Sequence, residues 1–354
     1  MARKPKPFEY SSDAEPGITR MARGDGFVYF RPNGNLIRRE TELAHIASLA
    51  IPPAWTDVWI CPNHRGHLQA TGKDARGRKQ YRYHPAWVAE RDSNKYASLA
   101  DFAQALPRIR RAVVRDLRRP ALCKERVLAA VVRLMDQAFI RVGGERYRRE
   151  NGSFGATTLR SRHVRKAGDK VVLDFRGKSG KRHTIKIDDG RVVRVIRRCL
   201  DLPGDVLFQF KDGSTVRSIS AADVNAYLKE ISGADVTSKD FRTWGGTVRA
   251  ANHLWGAPRA EGKTATRAIV REAVKAASQA LGNTPAVCRR SYIHPRVFEC
   301  YEKGVAVEAP PPLRGLRADE RMALALLKAR MPTVSELLRR SIGSEHERRH
   351  PVAA

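Results

Sequence analysis

Hydrophobic and polar positions follow two different periods along this chain, and the change falls near residue 86. Before it, Phe27-Val-Tyr-Phe30, Asp57-Val-Trp-Ile60 and Gln80-Tyr-Arg-Tyr83 are short β-prone runs bounded by Gly, Pro and Asn, which predicts strands joined by turns. Glu40 to Leu49 reads as a helix that Pro52-Pro53 stops. After residue 86 the period becomes 3.6. Between 122 and 140, Val127, Leu128, Val131, Leu134, Met135 and Ala138 share one helix face, which predicts a core helix. Just upstream, Arg108, Arg111, Arg115, Arg118 and Arg119 lie opposite Ile109, Ala112, Val113 and Leu117, until Pro120 ends the helix. With Arg110 this makes six arginines in twelve residues against the single acid Asp116, which reads either as a solvated face or as a phosphate-contacting one.

A hairpin interrupts the helices. Leu173 and Phe175 alternate with polar positions, Gly177-Lys178-Ser-Gly180 makes the turn, and His183, Ile185 and Ile187 alternate on the return. Further on, Ser220 and Asp223 form a capping-box pattern, Val224, Tyr227, Leu228 and Ile231 form a buried stripe, and Gly233 closes it. Thr237-Ser238 precede another helix start at Lys239–Trp244, and Thr266 to Leu281 is a helix closed by Gly282. Two more helices are expected after Ala309-Pro-Pro-Pro312. The fold class is therefore α+β: an extension over 1–24, a small β-rich domain over 25–90, a mainly helical domain containing a β-hairpin over 91–342, and a loose tail over 343–354. No internal repeat is visible.

Charge adds a partner to this picture. The 354 residues carry 67 Lys and Arg against 37 Asp and Glu, a formal +30 that asks for a polyanion. Hydrophobic residues make up 42%, enough for a folded core rather than a disordered basic tail. No apolar stretch follows Met1-Ala-Arg-Lys-Pro-Lys-Pro, and the run Val127–Val132 is far short of a membrane span, so a soluble protein without a leader is expected. Five scattered cysteines without CxxC spacing suggest a reducing, cytoplasmic compartment. Cys61, His64 and His67 resemble a metal knuckle but lack a fourth ligand at the usual distance, His84 being a remote candidate, so no metal is expected there.

The acidic residues form none of the clusters that hold catalytic Mg²⁺, and no phosphate-binding loop suggests ATP. A phosphodiester could then be cut here with side chains alone. Such a site needs a nucleophile, cations for the non-bridging oxygens, and an acid for the leaving oxygen.

Four segments meet that demand: Phe139-Ile-Arg141-Val-Gly-Gly-Glu-Arg-Tyr147; Phe175-Arg-Gly-Lys178-Ser-Gly-Lys; Ser238-Lys239-Asp-Phe-Arg242-Thr-Trp-Gly; and Leu281-Gly-Asn283-Thr-Pro with Ser291-Tyr292. In order and context they resemble the type IB DNA topoisomerases, in particular the compact bacterial and poxvirus-like branch. Gly72-Lys73-Asp-Ala-Arg76-Gly-Arg78-Lys79-Gln80-Tyr81-Arg-Tyr83 resembles that branch's DNA-facing strand, so the likeness runs over about residues 25 to 305.

The resemblance implies a catalytic domain of the type IB topoisomerase and tyrosine recombinase kind. It implies that Tyr292 attacks a DNA phosphate to give a 3′-phosphotyrosyl link and a free 5′-hydroxyl, with no cofactor, nucleotide or metal. A tyrosine of ordinary pKa near ~10 needs nearby positive charge, which Arg141 and Arg242 are suited to supply while gripping phosphate oxygens. Lys178, on a turn, would protonate the 5′ oxygen. Asn283 stands where many relatives have histidine; asparagine donates a hydrogen bond but does not titrate. Lys73, Arg76, Arg78, Lys79, Gln80, Tyr81, Tyr83, Tyr147 and Lys239 would contact double-stranded DNA, held by a monomeric clamp in a nucleoid-associated enzyme.

Each site residue also has a plain structural explanation. Tyr292 could be a buried aromatic at a helix end, Lys178 a solvated turn lysine, Arg242 a surface cation and Asn283 a turn residue after Gly282. The alternatives to a topoisomerase are a tyrosine recombinase and a basic DNA-binding protein without catalysis. Recombinases usually carry His-x-x-Arg where this chain has Lys239-Asp-Phe-Arg242, and usually a helical N-terminal region.

Overall fold

Residues 7–257, 262–305, 307, 308 and 310–331 are described by a computed structural model, in which the chain divides into two units, Met1–Ala97 and Ser98–Ala354. The first unit carries β1 (Ile18–Arg23), β2 (Gly26–Phe30), α1 (Glu40–Ser48), β3 (Thr56–Ile60), β4 (Leu68–Lys73), β5 (Lys79–Tyr83) and α2 (Pro85–Ala97). Its antiparallel sheet runs β2-β1-β3-β4-β5. Ile18, Val58, Ile60 and Ala70 of the sheet bury against Ile37 and against Ile46 of α1.

β1 and β4 are absent from the sequence reading because neither alternates cleanly. β4 buries the polar Gln69 and Thr71 beside its apolar residues. The Gln69 amide is satisfied there: it donates to the carbonyls of Asn63 and His64 at 3.2 Å and of Gly66 at 2.5 Å. That amide therefore organises the loop of Cys61, His64 and His67. His64 stacks on His45, and His67 Nδ1 accepts from the Ser11 N–H. Among the described residues no three His, Cys, Asp or Glu side chains gather to hold a metal ion.

The second unit contains α3 (Leu99–Leu117), α4 (Lys124–Ala138), α5 (Glu145–Asn151), β6 (Val164–Ala167), β7 (Lys170–Arg176), β8 (Arg182–Ile187), α6 (Gly190–Leu200), β9 (Gln209–Asp212) and β10 (Thr215–Ser218). It continues with α7 (Ala221–Ser232), α8 (Ser238–Gly256), α9 (Lys263–Leu281), α10 (Pro285–Tyr292), α11 (Pro295–Glu302) and α12 (Ala318–Lys328). The second helix expected near the C-terminus and the 343–354 tail lie outside the described residues. No described helix is long and apolar enough to cross a membrane.

α4 is more central than its single apolar face suggests, because Ala129, Ala130 and Val132 are buried as well. α3 packs along it with Ile109, Val113 and Leu117 inward, as its pattern requires. Arg110 corrects the reading of the arginine-rich helix as one phosphate-contacting set. Its guanidinium is held between Asp136 of α4 and Glu320 of α12, both at 2.7 Å, and so ties three helices together. Asp116, the lone acid of that stretch, is buried and pairs with Arg115 and Arg119 while accepting the Tyr227 hydroxyl at 2.8 Å. Arg108, Arg111 and Arg118 stay exposed.

The capping box at α7 forms as read: Ser220 accepts from the Asp223 N–H and Asp223 accepts from the Ser220 N–H. Gly233 and Gly282 end α7 and α9 in the left-handed conformation, with φ of 65° and 62°. The hairpin gains a third strand, giving the order β6-β7-β8, with Phe175 opposite His183 and Leu173 opposite Ile185.

Candidate active site

Arg141, Lys178, Arg242, Asn283 and Tyr292 come from five different elements of the second unit. α4 stops at Phe139, whose left-handed φ of 52° is uncommon outside glycine. Two residues on, the Arg141 carbonyl accepts the Ala156 N–H at 2.8 Å and the Val142 carbonyl the Thr157 N–H at 2.7 Å. Gly155 permits this approach, since a Cβ there would stand 2.6 Å from the Arg141 oxygen. Lys178 is exposed on the β7–β8 turn, with its Nζ 5.9 Å from the Tyr147 ring centre.

α8 draws the other parts together. Thr237 and Asp240 cap its start, which places Arg242 about one turn in, where it is buried. The guanidinium donates to the Phe139 carbonyl and, at 2.8 Å, to the Leu281 carbonyl. These acceptors lie two residues before Arg141 and two before Asn283. Arg242 is thus a bracket between the end of α4 and the end of α9, which corrects the picture of it as a surface cation. Two of its five N–H donors are committed to this task, and Nε has no protein partner.

Gly245 and Gly246 follow, inside the helix. A Cβ on Gly245 would collide with the Phe139 ring, and one on Gly246 with the backbone carbonyl of Tyr292. The pair lets α8 touch both the arm that carries Arg141 and the residue that carries the phenol. Sequence reasoning passed over them, although Gly-Gly within a helical pattern is itself a signal of close approach.

Asn283 does two things. Its N–H donates to the Ser278 carbonyl at 3.0 Å, completing the turn after Gly282, so it is a turn former. Its side chain is also engaged: Oδ1 accepts from the Arg141 guanidinium, and the buried Nδ2 has no protein partner. Tyr292 is the last residue of α10, with the Arg242 guanidinium carbon 5.1 Å from its ring centre. Arg141, Tyr147, Lys178, Lys239, Arg242 and Tyr292 line one cavity of about 310 Å³.

Burial alone would raise the Tyr292 phenol, but Arg242, Arg141 and Lys178 outweigh it and leave its pKa below the ordinary tyrosine value. Burial, then the Arg141 charge, lowers Arg242 to about 10, still protonated at neutral pH. The cavity therefore combines an acidified phenol, two guanidiniums and an ammonium, with an amide donor beside them. By contrast, the hydroxyl of nearby Tyr301 is buried beside Trp255.

The other candidate contacts lie on the first unit, around the β4–β5 hairpin. Lys73 pairs with Asp57, Arg78 with Asp74 and Lys79 with Asp13, whereas the Arg76 side chain is exposed. The Gln80 amide donates to Asp74, whose carboxyl is lowered to about 2, first of all by the Arg78 guanidinium. The Lys73–Asp57 pair is exposed on both sides and so is worth little to stability. Tyr81 and Tyr83 share a face as their alternation predicts, with ring centres 6.0 Å apart, and Tyr83 stacks on Trp87 of α2.

Comparison with known proteins places the sequence in a family. Residues 78–308 match the family described as eukaryotic DNA topoisomerase I, catalytic core, and residues 26–74 match bacterial DNA topoisomerase IB, N-terminal domain. The chain is 33% identical over 294 residues to DNA topoisomerase 1B of Acanthamoeba polyphaga mimivirus, covering 81% of this chain and 88% of that protein. It is 22% identical over 230 residues to DNA topoisomerase 1B of vaccinia virus (strain Copenhagen), covering 64% and 70%. It is 24% identical over 257 residues to DNA topoisomerase 1 of rabbit fibroma virus (strain Kasza), covering 70% and 78%. With its β-rich first unit, its helical second unit and a catalytic-core match that spans residues 78–308, the chain belongs to the type IB DNA topoisomerase family.

Proposed function

We propose that this chain relaxes supercoiled duplex DNA by cutting one strand through Tyr292, letting it rotate, and resealing it. The observation that carries this reading is the phenol whose pKa is lowered within reach of Arg242, Arg141 and Lys178 in one cavity. The phenolic oxygen bonds to phosphorus as its proton passes to solvent, the bond from phosphorus to the 5′ oxygen breaks, and Lys178 gives that oxygen its proton. Religation is the reverse. Arg141 and Arg242 neutralise the charge that builds on the non-bridging oxygens. Asn283 Nδ2 has no protein partner, which leaves it free to add a hydrogen bond in this reading.

Lys73, Arg76, Arg78, Lys79, Gln80, Tyr81 and Tyr83 on the first unit, with Tyr147 and Lys239 on the second, hold the duplex. A single copy closing on DNA as a clamp, in a nucleoid-associated location, fits the +30 charge. The experiment is incubation with supercoiled plasmid in EDTA without ATP. Relaxation through many topoisomers supports the reading. Site-dependent strand exchange, or a mobility shift without a change in topology, refutes it.

Asn283 is the position at which the family resemblance implies histidine in many members. Asn283→Ala is expected to lose ~1.5–3 kcal/mol of transition-state stabilisation, the scale of a hydrogen bond to a charged group. Asn283→His should retain much of the rate and acquire a titration near ~6.5 that the natural chain lacks. Single-turnover cleavage of a suicide duplex from about pH 5 to 9 measures both. An alanine variant as fast as the natural protein would leave Asn283 its turn alone.

A further inference from the structure

His183 stands on β8 opposite Phe175 of β7, its imidazole stacked on that ring with centres 5.3 Å and planes 16° apart. The other edge of the imidazole fills space that two glycines leave open. A Cβ on Gly177, the residue before Lys178, would lie 2.5 Å from His183 Cδ2. A Cβ on Gly282, the residue before Asn283, would lie 2.8 Å from Cε1. One ring thus touches both the root of the lysine turn and the last turn of α9. The turn itself is exposed from Lys178 to Gly180 and is closed locally, by the Gly177 N–H to the Lys181 carbonyl at 2.7 Å.

His183 also lines a small cavity with Arg141, Lys178, Arg242 and Leu281. Burial, then the charges of Arg141, Arg242 and Lys181, holds its pKa below the usual histidine value. At neutral pH it is therefore an uncharged ring set among cations, able to fill the space without adding to their repulsion.

We infer that His183 is a positioning residue for strand cleavage: a neutral aromatic wedge that docks the β7–β8 turn onto the end of α9 and so fixes where the Lys178 ammonium reaches. The inference rests on Lys178 being the donor to the 5′ oxygen.

The test is single-turnover cleavage by the full chain of two duplexes, one with oxygen and one with sulfur at the scissile 5′ position. Lys178→Ala is slow on oxygen and close to the natural protein on sulfur, because a thiolate leaves without help from an acid. His183→Ala follows the same pattern, about 10²-fold slower on oxygen and within about threefold on sulfur, since a misplaced group costs on that scale. His183→Phe keeps the ring and recovers most of the oxygen rate. Combining His183→Ala with Lys178→Ala is no slower than Lys178→Ala alone, because both act through one proton transfer.

Equal losses on the two substrates, additive losses in the double variant, or His183→Phe as slow as His183→Ala would each overturn the wedge while leaving Lys178 as the donor. Failure of sulfur to rescue Lys178→Ala overturns the donor assignment and this inference with it. His183→Gln is measured alongside in case His183→Ala does not fold, and the same oxygen-to-sulfur comparison decides.

Discussion

Tyr292→Phe abolishes relaxation and covalent trapping of DNA while leaving DNA affinity nearly unchanged. The variant removes one hydroxyl, and with it the atom that would bond to phosphorus. The ring, its contact with the Arg242 guanidinium and the place of Tyr292 at the end of α10 all remain. Affinity rests on many phosphate contacts from a chain of charge +30, so one hydroxyl counts for little there. A denaturing gel of end-labelled suicide duplex reads the covalent link, and filter binding at fixed salt reads affinity. The buried Tyr301 hydroxyl offers no substitute, so residual covalent complex would contradict the assignment of Tyr292 as nucleophile.

Arg242→Ala has the second largest effect, and it acts twice. Loss of an aimed charge in a water-poor site slows cleavage and religation by about 10²–10³ or more. The substitution also strips the buried Phe139 and Leu281 carbonyls of a donor, at a cost of about 1–3 kcal/mol for each group left unsatisfied. A lower melting temperature should therefore accompany the slow chemistry. Arg242→Lys keeps a positive charge, but an ammonium lacks the planar fork that reaches both carbonyls, so its rate should stay far below that of the natural protein. A lysine variant of normal rate and normal melting temperature would show that the bracket has no role.

Much of this protein is legible in its residues. Strand and helix periods are local, so β3, β5, α1, α4, α7 and the β7–β8 hairpin follow from spacing, and caps such as Ser220 with Asp223 and Gly233 mark helix ends within a few residues. The order of the Arg141, Lys178, Arg242, Asn283 and Tyr292 segments, together with the charge balance, is enough to point to the family. Tertiary structure decided what depends on partners far away in sequence. β1 escapes the pattern because only Ile18 of it is buried, and its pairing with β2 and β3 is what makes it a strand. Arg110 reads as part of a basic face until Glu320, 210 positions later, is brought to it. Arg242 is a bracket because α8 crosses the ends of α4 and α9, and Gly245 and Gly246 make that crossing close. Local spacing records which face of an element is apolar. Whether a charged or polar group on it meets water, a carboxylate or a carbonyl depends on elements up to 210 positions away, and only the folded chain supplies them.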